Sequence, residues 1–308
     1  MYFLTINELH VTSCVLRISG PDAYTYLQGQ FTQELRQESR AAAYGLWLNQ
    51  KGKTVADSTI LRLHENTFIL VSPRSPAQVI RERLESYLVA DEVELADESA
   101  GWSRVVAIDD GAAPTVASLF GEFPARDRFT EIPGGYVFRG RLSRSDNLDC
   151  WLVPDAASAL AARLRAAGAR EVDASAIDAG RIESGLAAVP DDIGPSDLPN
   201  EGGLENDAIS YTKGCFLGQE VMARLKNLGQ VRRFLHVVRG PGELPVAGAP
   251  LYVGDKKVGD FRSSARRDGG FVAMAMLSLA SLEASSLSRS VGGPADVSLV
   301  GRAGSIAT

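Results

Sequence analysis

Apolar and polar positions alternate from Val11 to Ile18, the period of a half-buried β-strand. Gly20-Pro21-Asp22 then opens a helix through Tyr26 and Leu27, with proline where a first-turn N–H needs no partner. After a polar exit over 33–42, strand-like runs cover 43–48, 55–63 and 67–71, the first two joined by a turn at Gly52. Ser75-Pro76 caps a second helix, with Ile80, Leu84, Tyr87 and Leu88 on one stripe. The order is therefore β-α-β-β-β-α. A similar alternation restarts at Trp102, with a strand over 104–108, a short helix over 115–120, and strands over 136–142 and 148–153. An alanine-rich helix over 155–167 then ends at Gly168. No residue-level repeat accompanies it, yet the shared order of elements implies a structural duplication. A further helix, 175–184, ends at Gly185. The stretch from Pro190 to Gly203 holds six prolines and glycines, too many for a regular element, and predicts a long surface loop. Beyond Val231, strands over 231–238, 251–253, 257–262 and 271–276 with glycine turns predict a small β-barrel or sandwich, and the last dozen residues read as frayed.

With 308 residues, 45% of them apolar and 23% charged, the chain is long and apolar enough for two or three folded domains. A net charge of −6 excludes a whole-surface binder of polyanions. The least charged stretch, Phe271 to Leu282, falls short of the roughly 20 residues a spanning helix needs, and the N-terminus carries no basic region ahead of its apolar residues. No membrane association and a cytoplasmic location are expected. Charge is unevenly placed: residues 171–210 hold ten acids against Arg181 alone, whereas 211–240 hold six bases against Glu220 alone. The plain reading is that the two blocks attract each other in the fold.

Several candidate chemistries fail on spacing. Gly52-Lys53-Thr54 lacks the first glycine of a phosphate loop, where Trp47 stands, and Gly240 and Gly242 are followed by Pro245 where a dinucleotide loop has its third glycine. His10, His64 and His236 have no carboxylate or cysteine at ligand spacing, and Cys14, Cys150 and Cys215 form no disulfide framework, so no metal site is expected. Arg224 to Arg239 lacks aromatic interleaving beyond Phe234, which argues against strong direct nucleic-acid binding. What survives is Lys213-Gly214-Cys215-Phe216-Leu217-Gly218-Gln219-Glu220, leading into a helix with Val221, Leu225 and Leu228 on one face. A cysteine just before a helix start, with Lys213 two residues back, has the surroundings that favour a thiolate. Cys215 and Lys213 are the candidate catalytic residues, and Gly214 and Gly218 would let the backbone turn tightly and a flat ligand approach.

These eight residues resemble the signature of the YgfZ family of folate-binding proteins, relatives of the aminomethyltransferase (T-protein) of glycine cleavage. The likeness extends to Gly20-Pro21-Asp22-Ala23 with Leu27-Gln28-Gly29-Gln30, to Arg181-Ile182-Glu183-Ser184-Gly185, to Leu198-Pro199-Asn200-Glu201 and to Gly229-Gln230-Val231-Arg232-Arg233.

The resemblance implies an α+β fold, a T-protein-like three-domain ring around a central folate site with a C-terminal β-barrel. The implied domains are 1–45 with 146–230, then 46–145, then 231–308. It implies tetrahydrofolate or a one-carbon-substituted folate as cofactor, with Glu201 holding the pterin, Glu183 among the binding residues, and Arg232 and Arg233 at the folate tail. The acidic and basic blocks then read as a wall for the pterin and a mouth for the tail. A carboxylate accepts two parallel N–H bonds from a pterin edge, which makes the glutamate chemically sensible. The T-protein's catalytic aspartate aligns with Ala56, and strand alternation would turn the neighbouring Asp57 to the opposite face. The resemblance therefore implies a monomeric accessory protein for the assembly or repair of iron–sulfur enzymes, tRNA-modifying ones included, acting through Cys215. A folate-dependent aminomethyl- or methyltransferase is the alternative.

Overall fold

A computed structural model describes residues 1–6, 13–36, 38–108, 119, 124–281 and 286–305. The helix expected over 115–120 and the histidine at position 10 lie outside the described residues, apart from position 119. Two sheets and two sets of helices make a four-layer body. The first sheet has the order β3-β4-β5-β2-β6, from β2 (Cys14–Ser19), β3 (Ala42–Leu48), β4 (Thr54–His64), β5 (Thr67–Ser72) and β6 (Glu94–Asp97). Helices α1 (Ala23–Gln30) and α2 (Ala77–Glu85) cover its outer face, burying Leu27, Ile80 and Leu84 against Leu16, Trp47, Ile60 and Phe68. The buried Arg83 joins both helices to the sheet, donating from Nε to the Leu48 carbonyl at 2.8 Å and from Nη1 to Gln30 Oε1 at 3.0 Å.

The second sheet has the order β11-β1-β7-β10-β9-β8, from β1 (Tyr2–Ile6), β7 (Ser103–Ile108), β8 (Phe129–Ile132), β9 (Gly135–Arg139), β10 (Asn147–Leu152) and β11 (Arg170–Glu171). Helix α3 (Pro154–Ala166) starts on a proline and lays Ala157, Leu160, Ala161 and Leu164, an i, i+3, i+4, i+7 stripe, over Phe3, Val105, Leu148 and Cys150. The inner faces of the two sheets meet through Val15, Leu61, Ile69 and Val71 on one side and Phe129, Phe138 and Trp151 on the other. Each half is thus a helix-backed sheet, the duplicated order of elements that the sequence pattern implies. Residues 14–97 build the first sheet without interruption, and β1 crosses over to pair with β7 of the second. Hydrogen bonding between strands, not the order of motifs along the chain, sets that division.

The third sheet, β13-β14-β15-β12-β17-β16, is built from β12 (Arg233–Pro241), β13 (Pro250–Val253), β14 (Lys256–Arg267), β15 (Gly270–Ser278), β16 (Ser286–Leu287) and β17 (Val297–Arg302). Paired backbone bonds of 2.9 Å between Tyr252 and Ser288 close it into a barrel. Along β15, Phe271, Ala273, Ala275 and Leu277 fill the barrel, while Val272, Met274 and Met276 pack outward on the rest of the molecule. The stretch expected to be frayed contains β17, which pairs with β12 through residues such as Val238 and Leu299.

Between barrel and sheets run helix α4 (Ala174–Glu183), an irregular strap, the short helix α5 (Glu205–Ala208) and helix α6 (Gln219–Leu228). Asp173 caps α4, accepting from the Ala176 N–H at 2.8 Å. The strap contains the stretch expected to be a surface loop, yet Asp192, Ile193, Asp197, Pro199 and Glu201 are buried. Irregular backbone survives inside because carboxylates satisfy it: Asp192 accepts from the Ala188 N–H at 2.8 Å and Asp197 from the Gly194 N–H at 2.9 Å.

Candidate functional site

The signature segment is held from behind. Lys213 is buried and its Nζ donates to the carbonyls of Gln28, Phe31 and Gln33 at 2.8, 2.7 and 3.0 Å. Burial pulls its pKa down from 10.5 to about 8, against a smaller opposing pull from Glu34. Phe216 anchors the other side of the segment in the core shared by strap, α6 and barrel. Gly218 sits in the left-handed region at φ +86°, and a Cβ there would meet the Asn49 carbonyl oxygen at 3.0 Å, so the turn into α6 requires glycine. Gly214 has ordinary φ and open space around its Cβ position; it leaves the approach to Cys215 clear without being forced to be glycine.

Cys215 is exposed, whereas Cys14 and Cys150 are sealed on the helix-backed faces of their sheets, where burial pushes both thiols far up. Two supports expected for Cys215 are not beside it. Helix α6 begins at Gln219, with Phe216, Leu217 and Gly218 intervening, beyond the single turn over which a helix end acts. The Lys213 ammonium is committed to the α1 exit, so the structure makes Lys213 a clamp.

The residues expected around the pterin and the folate tail are engaged by one another. Glu201 Oε1 accepts from Arg233 Nε at 2.9 Å, and Oε2 accepts from Arg233 Nη2 at 3.1 Å and from the Leu198 N–H at 2.8 Å. Arg233 Nη2 also reaches Asp197 at 2.7 Å. Glu183 accepts from Arg239 at 2.7 Å and from Arg267 at 3.1 Å. The acidic and basic blocks therefore pair across the barrel junction, the plain reading of their charges. Arg232 is exposed and apart from this network. A pterin at Glu201 would have to displace Arg233.

A cleft lies elsewhere, between the two sheets. Its outer part, about 410 Å³, is bordered by Arg36, Arg62, Arg126, Arg139 and Arg141 against Glu34, Asp127 and Asp207. It narrows, past Tyr44 and Gly140, to an inner pocket of about 50 Å³ lined by Asp57, Thr59, Trp151 and Ala188. Asp57 is the polar residue that the sequence reading set aside. Along β4, Ala56, Ser58 and Ile60 face the helices: Ala56 and Ile60 lie in that core and Ser58 accepts from Trp47 Nε1 at 2.8 Å. Asp57, on the alternate face, looks into the cleft. A carboxylate at position 56 would be buried under α1 and α2, so Ala56 has no bearing on the site. Tyr44 Oη donates to Asp57 Oδ2 at 2.9 Å and Ser72 Oγ to Oδ1 at 3.3 Å, while the Arg141 guanidinium lies 3.8 Å over the Tyr44 ring. Burial raises the Asp57 carboxyl above its ordinary range, with Tyr44 and Arg141 pulling the other way, and raises the Tyr44 phenol as well. The buried Trp151 Nε1 has no hydrogen-bond partner among the described residues. The signal that marks Asp57 in the sequence is a lone carboxylate amid the apolar run of a strand buried on both faces.

Residues 11–116 match the GCVT N-terminal domain family. The tRNA-modifying protein YgfZ of Edwardsiella ictaluri is 32% identical over 275 residues, covering 85% of this chain and 81% of that protein. The chain belongs to the YgfZ family. The mitochondrial iron–sulfur cluster assembly factor IBA57 of Homo sapiens is 29% identical over 270 residues, covering 81% of this chain and 72% of that protein. Among solved structures, the glycine cleavage aminomethyltransferase T of Bartonella henselae superposes with a TM-score of 0.78 at 21% identity, over 96% of this chain and 84% of the other. This YgfZ-family chain thus has the T-protein fold, with a C-terminal barrel and, among its described residues, no helix long and apolar enough to cross a membrane.

Proposed function

We propose that this protein binds a reduced folate, tetrahydrofolate or a one-carbon-substituted form, and supports the assembly or repair of iron–sulfur enzymes, tRNA-modifying ones included, through Cys215. The observation that carries this reading is the contrast among the cysteines: two are sealed in cores, and the third is exposed on a segment fixed by Lys213 and Phe216. A soft sulfur on a rigid, accessible mount suits transient ligation of a metal cluster. The names of the relatives support the same assignment, one a tRNA-modifying protein and the other an iron–sulfur cluster assembly factor. The protein acts as a cytoplasmic monomer whose partners are its client enzymes.

The residues of the inter-sheet cleft fit a folate. Asp57 and the unpartnered Trp151 N–H offer an acceptor and a donor to a pterin edge, and the arginines at the mouth suit the carboxylates of the tail. Bound there, the folate supplies one-carbon chemistry. The chain's part is to orient the ring through Asp57 and exclude water with Tyr44 and Phe138. Glu201 and Arg233 serve by fixing the strap against the barrel, and Glu183 by fixing the end of α4 against it. Asp57 also favours a second reading, a folate-dependent aminomethyl- or methyltransferase, because a buried carboxyl in the cleft is what such a reaction uses as a proton relay. Complementation of a strain lacking its own YgfZ-family protein separates the two. Cys215→Ser should abolish support of iron–sulfur enzymes while leaving folate affinity by calorimetry unchanged. Full complementation by the serine variant, with failure of Asp57→Asn, would favour the transferase.

A further inference from the structure

A second cavity, about 640 Å³, lies on the other side of α5 from the folate cleft, bounded by the strap end, the outer flank of α6 and the barrel. The two cavities share only Asn206 in their walls. Two buried side-chain oxygens without a hydrogen-bond donor among the described residues line this one cavity, Asn200 Oδ1 and Glu205 Oε2, while the Tyr211 hydroxyl beside them leans on the Asn200 side chain. A buried oxygen without a donor has given up its bonds to water and has nothing in return, so the two together mark a place built to be filled. Both are acceptors only, which calls for a ligand that brings N–H groups. Burial raises the Glu205 carboxyl, opposed in part by Arg302, consistent with a carboxylate awaiting a donor.

The rest of the wall specifies the body and tail of the ligand. Ile209, Leu225, Val231, Phe234 and Leu279 give an apolar lining. Two cations stand at the margin, Lys226 Nζ 4.1 Å over the Tyr211 ring and Arg302 Cζ 3.7 Å over the Phe234 ring, and neither is in an ion pair among the described residues. A cation held on an aromatic face rather than by a carboxylate keeps its charge available to an anion. We infer that this cavity is a second ligand site, for an amino-substituted planar heterocycle that carries an anionic tail. Ring N–H groups meet Asn200 and Glu205, the ring lies on the apolar lining, and the tail meets Lys226 and Arg302. Guanine nucleotides and folates share this chemistry, so either is a source of the ligand.

The test uses the full-length Asp57→Asn protein, in which the inter-sheet cleft is impaired, so that failure here is separate from failure of the folate reading above. Guanosine 5′-monophosphate and 5-formyltetrahydrofolate are titrated separately by calorimetry at two salt concentrations. One of them should bind with one site per chain, and the one that does identifies the source. Glu205→Ala should weaken that binding at least tenfold. Lys226→Gln, on an exposed side chain that does not endanger folding, should weaken it about threefold and flatten its salt dependence. Binding of neither probe overturns the inference, and so does binding that is indifferent to both substitutions.

Discussion

The strap and the signature segment are both irregular, both rich in glycine and both crossed by charge, yet they use their charged residues in opposite ways. In the strap the carboxylates turn inward and are consumed: Asp192 by Arg181, Asp197 and Glu201 by Arg233. In the signature one charge, Lys213, turns inward so that its neighbour Cys215 can face out. A charged residue next to a presumed ligand site is therefore poor evidence for ligand contact until its partners are known. The inward charges hold the mount, and the outward atom is left accessible.

The largest effect should come from breaking the strap. Arg181 is almost wholly buried and donates to Asp192 at 2.7 Å, to the Leu186 carbonyl at 2.7 Å and to Ser263 of the barrel at 2.8 Å. Arg181→Ala leaves the Asp192 carboxylate buried and unpaired, and should cost about 3–5 kcal/mol in urea unfolding. A loss below about 1 kcal/mol would mean that the strap is not the bolt between barrel and sheets. Lys213→Met comes next, because it strands three carbonyls, and should cost about 2–3 kcal/mol at neutral pH. Its pH dependence sharpens the contrast. The folded lysine titrates near 8 and the unfolded one near 10.5, so between those values the unfolded chain binds more protons. Wild-type stability should then rise relative to Lys213→Met as pH goes from 8 to 10.5, by up to about 3 kcal/mol at 1.36 kcal/mol per unit. A gap that stays flat with pH would show that the ammonium is not held in the buried clamp.

The same contrast explains what the sequence can and cannot show. Strands over 43–48, 55–63 and 67–71 are legible because their period of two and the Gly52 turn are local features. β1 and β17 are not, since each is defined by a partner far along the chain, β7 and β12. Six prolines and glycines reveal that the strap is irregular but not that it is buried, because burial depends on arginines 11 to 65 positions away. At the site, the signature marks Cys215 as the candidate, and the fold leaves it exposed. That Arg233 reaches Glu201 is visible only in the fold, and Asp57 is set aside although alternation along β4, correctly applied, is what delivers it to the cleft.

Glu201→Ala tests the strap reading at smaller amplitude. It removes a bidentate partner from Arg233, which is itself about one-third exposed, so a loss of about 1–2 kcal/mol is expected, with folate affinity by calorimetry unchanged within about twofold. A tenfold loss of affinity with stability intact would return the pterin to Glu201.

The smallest expected change in stability belongs to the residue on which the proposed function rests. Cys215 is exposed and takes no part in either the Lys213 clamp or the Phe216 anchor, so Cys215→Ser should alter unfolding free energy by less than about 0.5 kcal/mol. Alkylation with iodoacetamide under native conditions should label Cys215 alone, because Cys14 and Cys150 are sealed and their thiols are held far above neutral pH by burial. Mass spectrometry of peptides from the native protein decides it: label at Cys14 or Cys150 as fast as at Cys215 would erase the contrast between mount and outward atom. If instead Cys215 alone reacts and its serine variant folds as wild type does, any loss of iron–sulfur enzyme activity in cells carrying that variant comes from the missing sulfur and not from a damaged fold.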